Sequence, residues 1–231
     1  MTSSTWRALG NTYVVVEADA PLDTPTARAL AEGCDGVLEI LAIGPGRIEI
    51  AIWNTDGSRA ELSGNGTRIA AAWLAARSRD DRIDVVVGDR TVATTISADG
   101  EIEQDLGQVV VGEPESVAGI LFVPVSVGNP HAVVVAEPER ILELGPTLET
   151  HPRFPDRTNV QVARVDGPGE VTARVWERGV GETASSGTSA VAIAAAVHGD
   201  GDVVVHFPGG DLRVRLEGGR ALLYGTAEQI S

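Results

Sequence analysis

Apolar residues along the chain fall into short strand-like runs and two long stretches of helical length. YVVVEA (13–18) follows a turn at Gly10-Asn11 and predicts a strand. VLEILAI and RIEIAIW predict a strand pair about Gly44-Pro45-Gly46, the second alternating as a half-buried strand does. A helix is predicted over 24–32, with Thr24 as its cap, Pro25 in its first turn and Gly33 ending it. TRIAAAWLAAR carries no charge between Arg68 and Arg77, which predicts a helix buried on most sides, and AVAIAAAVHG predicts a second. Further strands are predicted at 83–87, 92–96 and 108–111, and on both sides of Gly128-Asn129-Pro130. A short helix near 138–144 then precedes the loop GPTLETHPRFPDRTN and the strands QVARV and EVTARVWE, and ALLYGTAEQI is expected to return as a strand to the first half.

The two apolar helices are entered through related loops, NTDGSRAELSGNGTR (54–68) and ERGVGETASSGTSA (177–190). Their Ser-Gly pairs, Ser63-Gly64 and Ser186-Gly187, lie 123 positions apart (186 − 63), and the same offset brings Ala71-Ala72 onto Ala194-Ala195. This is the signature of an internal duplication. It predicts an α/β fold of two pseudosymmetric halves, each a curved mixed sheet around a central helix. The first half is 1–113 with the C-terminal strand 220–231, the second is 114–219, and the boundary lies in the stretch Gly112 to Gly119 that contains Pro114. A helix N-terminus offers unpaired N–H groups and partial positive charge, and glycine lets a carboxylate approach the backbone. Two such termini facing one ligand suit chemistry that needs matched groups on opposite faces of a single carbon.

Composition narrows the partner. With 18 Lys+Arg against 33 Asp+Glu the net charge is −15, which leaves no basic face for nucleic acid or an anionic membrane. No stretch approaches a membrane span and the start MTSSTWRALG lacks a signal-peptide pattern, so a cytoplasmic protein is expected. The single Cys34 excludes an internal disulfide, and the four histidines show no metal-ligand spacing, so no metal is expected.

Amides and charges cluster at the turns in the variety a zwitterionic small molecule needs: Asn11, Asn54, Asn129 and Asn159, with His131 after Asn129-Pro130 and Glu177-Arg178 before the second loop. Each has a plainer account. Asparagine tolerates turn backbones, Glu177-Arg178 suits an exposed turn, and His131 suits a structural hydrogen bond.

Seven ordered segments decide between these accounts: LGNTY (9–13), CDGVL (34–38), NTDGSRAELSGNGTR, VSVGNPH (125–131), HPRFPDRTNV (151–160), ERGVGETASSGT and FPGGDL (207–212). Through them nearly the whole chain resembles the diaminopimelate epimerase family of cofactor-independent amino-acid racemases. The resemblance implies a two-domain fold, no cofactor, a homodimer, and an amino-acid substrate contacted by Asn11, Asn54, Gly64, Asn65, Asn129, Asn159, Glu177, Arg178, Gly187 and Thr188. His131 and Glu177 match positions that tune the catalytic pair. At Ser63 and Ser186 the family's motifs have cysteines, one removing the Cα proton and the other delivering a proton to the opposite face. A thiol ionises near ~8.5, whereas an alcohol lies several units higher and needs an adjacent base. Gly36, Ser189 and Thr226 also depart from the common pattern. The expected function is interconversion of LL- and meso-diaminopimelate in lysine and peptidoglycan-precursor biosynthesis, with Ser63 and Ser186 as the pair. The alternatives are a catalytically silent amino-acid-binding homologue, or an isomerase like those of the phenazine pathway in which Glu177 or His131 is the base. A serine hydrolase is disfavoured because no GxSxG surrounds either serine.

Overall fold

The computed structural model describes all of residues 1–231 and divides the chain into two compact units, Met1–Asp105 with Tyr224–Ser231, and Leu106–Leu223. No helix is long and apolar enough to cross a membrane.

Both units are wound by the same connections. In unit 1 the hairpin Thr2–Ala8/Asn11–Glu17 leads through helix α1 (Thr24–Leu30) to Gly36–Gly44, which lies parallel to Asn11–Glu17 and antiparallel to Arg47–Trp53. Helix α2 (Gly64–Ser78) then crosses over to Arg82–Val87, parallel to Arg47–Trp53, and the meander continues through Arg90–Ile96 to Ile102–Gln108. In unit 2 the hairpin Ile120–Ser126/Pro130–Val135 leads through helix α3 (Ile141–Glu149) to Asn159–Gly167, again parallel to the preceding strand and antiparallel to the next, Glu170–Glu177. Helix α4 (Gly187–Val197) crosses to Gly201–Phe207, parallel to Glu170–Glu177, and Gly210–Glu217 completes the hairpin. The last strand pair of unit 1 is made by the C-terminus, where Gln229 and Glu228 pair with Trp6 and Arg7.

The central helices explain the alanine-rich stretches. Ile69, Ala70, Ala71, Trp73 and Leu74 of α2 pack with Val15, Leu38, Ile48, Ile50, Ile52, Ile83 and Val85 in one buried cluster. Residues 187–194 of α4 are all buried against the strands of unit 2. A helix enclosed by its own sheet has no solvent face to keep polar, and small side chains let strands approach on every side.

Several boundaries differ from expectation, each for a local reason. Helix α1 is capped by Asp23 and not by Thr24, because the Asp23 carboxylate accepts from Thr26 N at 2.9 Å. The expected loop at Gly145-Pro146 is helical: α3 begins after a 3-10 turn at Pro138–Arg140 and runs through Pro146 to Glu149. Its buried stripe of Ile141, Leu144 and Leu148 outweighs the breakers. Gly145 is there for contact, since a Cβ at that position would sit 2.7 Å from Cγ of Trp176. The strand Ile102–Gln108 was not expected, and Val110–Val111 pairs with Val125 and Ser126 inside unit 2. The stretch around Pro114 therefore lies within unit 2, where Glu115–Val117 forms a hairpin with Ile120–Ser126.

The offset of 123 also carries Trp53 onto Trp176 (176 − 53), and both indoles are held by buried carboxylates. Glu39 accepts from Trp53 Nε1 at 2.9 Å, Leu22 N at 2.7 Å and Arg59 at 3.3 Å. Glu149 accepts from Trp176 Nε1 at 2.7 Å, Gly179 N at 2.8 Å and Arg157 at 3.4 Å. Each carboxylate ties a strand end, just ahead of a glycine-rich loop, to the body of its unit. Glu39→Ala leaves two buried N–H donors without acceptors and should lower the unfolding free energy by about 3 kcal/mol in urea denaturation, whereas Glu149→Ala, whose donors Trp176 and Gly179 are half-buried and exposed, should cost about 1 to 2 kcal/mol. Glu137→Ala, which removes only an exposed pair with Arg164, should change it by less than about 1 kcal/mol. Equal losses in all three variants would contradict this assignment.

Candidate functional site

In unit 1 the predicted residues Ser63, Gly64 and Asn65 form the N-terminal turn of α2. Ser63 is its N-cap, in extended backbone, and its Oγ accepts from Gly66 N at 3.0 Å. The Tyr13 hydroxyl lies 3.1 Å from the same oxygen. Asn65, only 2% exposed, turns its Oδ1 inward to accept from Arg68 Nη2 at 2.8 Å. Arg68 is fully buried, has no carboxylate partner, and leaves Nη1 without a hydrogen bond; burial pushes its pKa down to about 10. Its Nε donates to Gln104 Oε1 at 3.1 Å, and Gln104 Nε2 donates to Gly64 O at 2.9 Å and Thr67 Oγ1 at 2.8 Å. Asn11 is buried at the closed end of the first hairpin, opposite Ala8. Asn54 is engaged in its own loop, where Nδ2 donates to Ser58 Oγ at 3.0 Å.

In unit 2 the corresponding turn belongs to α4. Ser186 is the N-cap but its hydroxyl makes no capping bond, and Gly187 and Thr188 follow it, both buried. His131 lies beside this turn through a chain of hydrogen bonds. Gln161 Nε2 donates to Ser189 Oγ at 2.9 Å and lies 3.0 Å from His131 Nδ1, while His131 Nε2 lies 2.9 Å from Asn129 Oδ1. With the amide donating to Nδ1, the imidazole proton sits on Nε2 and Asn129 presents its NH2 group away from the histidine. Burial, offset in part by the Gln161 bond and reinforced by the Arg178 charge, lowers the His131 pKa from 6.5 to about 3, so the ring is neutral. Asn129 also lines an open pocket of about 400 Å³ with Arg153 and Phe154.

Asn159 is used at both ends inside the unit, donating to Pro130 O at 2.9 Å and accepting from Arg178 N at 3.0 Å. It holds the backbone of Arg178 against the strand that bears His131. Arg178 Nη1 reaches Asp156 O at 3.3 Å, and Glu177 accepts from Thr183 Oγ1 at 2.7 Å across the loop that leads to α4.

The structure thus groups Ser63, Gly64, Asn65 and their supports in one unit, and Asn129, His131, Asn159, Arg178, Gly187 and Thr188 in the other. Sequence reasoning missed Tyr13, Arg68, Gln104 and Gln161 as members of these networks. Gln104 had a signal, standing between Ile102 and Leu106 on the buried face of an alternating strand. Gln161 had none, because every neighbour in its strand from 159 to 163 is buried on both faces.

In each unit the strands wrap on a helix whose N-cap is a serine, which makes this a duplicated α/β protein. The family model described as diaminopimelate epimerase matches residues 7–112 and 123–228, and the chain belongs to that family. It is 34% identical to the diaminopimelate epimerase of Methanothermobacter thermautotrophicus, over 91% of this chain and 88% of that one. It is 31% identical to that of Desulfitobacterium hafniense, over 96% and 93%. Among solved structures the fold is similar to a Bacillus anthracis phenazine biosynthesis protein of the PhzF family (TM-score 0.74, 13% identity, 99% of this chain and 96% of that one). A hydroxyproline epimerase from Agrobacterium vitis shares it too (TM-score 0.68, 14% identity, 99% and 89%).

Because the folded His131 pKa lies near 3 and its ordinary value is 6.5, the unfolded chain takes up this proton first as pH falls. The contribution of His131 to stability is therefore complete above about 6.5 and is lost as pH drops from there toward 3. Unfolding free energies measured from pH 7 to pH 4 should fall more steeply for the parent than for His131→Gln. Parallel profiles, or an imidazole that titrates near 6.5 by NMR in the folded state, would contradict a buried neutral ring.

Proposed function

We propose that this chain is an amino-acid epimerase that interconverts LL- and meso-diaminopimelate by proton transfer at Cα, with Ser63 and Ser186 as the two acid–base groups and no cofactor. The observation that carries this is the shared position of the two serines, each the N-cap of a central helix. Their hydroxyls stand where N–H groups and the helix dipole favour negative charge, and that charge develops on the substrate carboxylate as the Cα proton leaves. In this reading the Asn129 amide and the Arg178 guanidinium hold the substrate carboxylates. The reading follows the diaminopimelate epimerases that the chain resembles.

One observation favours a second reading, a silent amino-acid-binding homologue. No imidazole, carboxylate or amine is bonded to either serine: Ser63 meets a phenol and an amide, and Ser186 makes no capping bond. His131 does not fill the role of base, because both ring nitrogens are engaged and the ring is 1% exposed. Incubation in D2O with LL- and meso-diaminopimelate separates the two. The epimerase reading predicts loss of the Cα proton signal by NMR, and binding without exchange would establish the silent homologue.

Restoring thiols should raise the rate. Ser63→Cys with Ser186→Cys places a reachable base on one side and an acid on the other, and should raise net interconversion, followed by circular dichroism, by about 100-fold or more. A folded double variant that binds substrate without a gain would mean that more than the two acid–base groups differs. Arg178→Ala should weaken diaminopimelate binding by about 3 kcal/mol or more in calorimetry, since a carboxylate bound away from water needs its cation. Unchanged affinity would return Arg178 to a turn charge.

A further inference from the structure

The Ser63 hydroxyl has one proton and two lone pairs. Gly66 N–H occupies one lone pair at 3.0 Å, so the remaining lone pair and the proton are divided between the Tyr13 hydroxyl, 3.1 Å away, and whatever lies in front of the serine. When Tyr13 donates, the Ser63 proton is turned outward and the serine is an acid. When Ser63 donates to Tyr13, its lone pair is turned outward and the serine is a base. An epimerase running in both directions needs both states from one residue.

Two further features belong to this contact. Tyr13 pairs with Gly36 across parallel strands, and a Cβ at Gly36 would lie 2.9 Å from the tyrosine ring at Cε1 and 2.5 Å from Trp53 O. The glycine at 36 gives the ring the place from which its hydroxyl reaches Ser63. Arg68, fully buried in the first turns of α2 without a carboxylate, adds positive charge to a helix terminus that is already positive. A buried cation without a counter-charge is unfavourable, and an anion formed at this turn relieves it.

We propose that Tyr13 is the proton relay of Ser63, its phenol exchanging a proton with the serine in the step in which the serine exchanges one with Cα of the ligand. In the basic direction the Cα–H bond breaks and its electron pair stays on Cα, conjugated with the carboxylate. The proton goes to Ser63 Oγ, and the proton that Ser63 held passes to Tyr13, which enters as phenolate and leaves as phenol. In the acidic direction Ser63 gives its proton to the Cα carbanion and takes one from Tyr13, which ends as phenolate. The gain is in where the charge rests: a phenol ionises near ~10, several units below an alcohol, so no free alkoxide is formed. This answers the absence of a conventional base beside Ser63, and it rests on the epimerase reading above.

The test compares Tyr13→Phe in two backgrounds, the parent and the Ser63→Cys/Ser186→Cys variant, by Cα exchange in D2O with diaminopimelate alongside calorimetry. In the parent background the loss of one hydroxyl should lower exchange by at least about 100-fold while the dissociation constant moves by less than about threefold. In the thiol background the loss should shrink to less than about fivefold, because a thiol ionises without the relay. A purely structural role for the hydroxyl would lower both backgrounds alike, and that outcome overturns the relay. So does a Tyr13→Phe variant that exchanges as fast as an active parent, and this leaves the epimerase reading standing. A parent that binds diaminopimelate without any exchange overturns the epimerase reading and the relay together.

Discussion

Enclosing a helix on every side forces a problem at its N-terminal turn, and the rest of this molecule is arranged around the answer. The apolar body of α2 or α4 is easily buried, but the polar groups of the first turn are buried with it and need partners. Both units meet the need with a strand glutamine that is itself fully buried. Gln104 ties Gly64 O and Thr67 Oγ1 of α2, and Gln161 ties Ser189 Oγ of α4. The amide supplies two donors and an acceptor in one plane, so a single side chain can bond the helix turn and still hold one further group. That further group is where the units part.

In unit 1 it is Arg68, which brings an uncompensated positive charge to the turn. In unit 2 it is His131, kept neutral by burial, which passes the polarity of the Gln161 amide on to Asn129. One half therefore accumulates positive potential, and the other sets the direction of hydrogen-bond donors. The serines differ in the same sense: Ser63 is bonded by an amide and a phenol, and Ser186 has no capping bond. Duplication supplied two similar turns, and later divergence gave each a separate electrostatic character.

Much of this organisation was legible in the chain. The offset between Ser63 and Ser186 predicted the duplication, and the uncharged run between Arg68 and Arg77 predicted a helix enclosed by its sheet, as the burial of Ile69, Ala70, Ala71, Trp73 and Leu74 shows. The fold class and the family followed from these and from the seven motifs. What escaped depended on contacts between segments distant in sequence. Pro146 looked like a helix end because its breaking effect is local, while the packing of α3 on Val160, Val162 and Trp176 is not. Tyr13 looked like one more strand residue, and only the fold brings its hydroxyl to Ser63, 50 positions away. Gln161 and Arg68 were invisible as partners for the same reason, since a buried polar side chain declares its role only through what it meets.

The proposed epimerase reading requires the N-terminal turns of α2 and α4 to serve one anionic ligand. It is tested most directly by titrating 15N-labelled protein with diaminopimelate and following the backbone amides of Gly64, Asn65 and Gly66 together with those of Gly187, Thr188 and Ser189. The account predicts that both sets shift and saturate at the same ligand concentration, as donors to one bound molecule must. If only one turn responds, or the two saturate at different concentrations, the two turns do not share a ligand and the account fails.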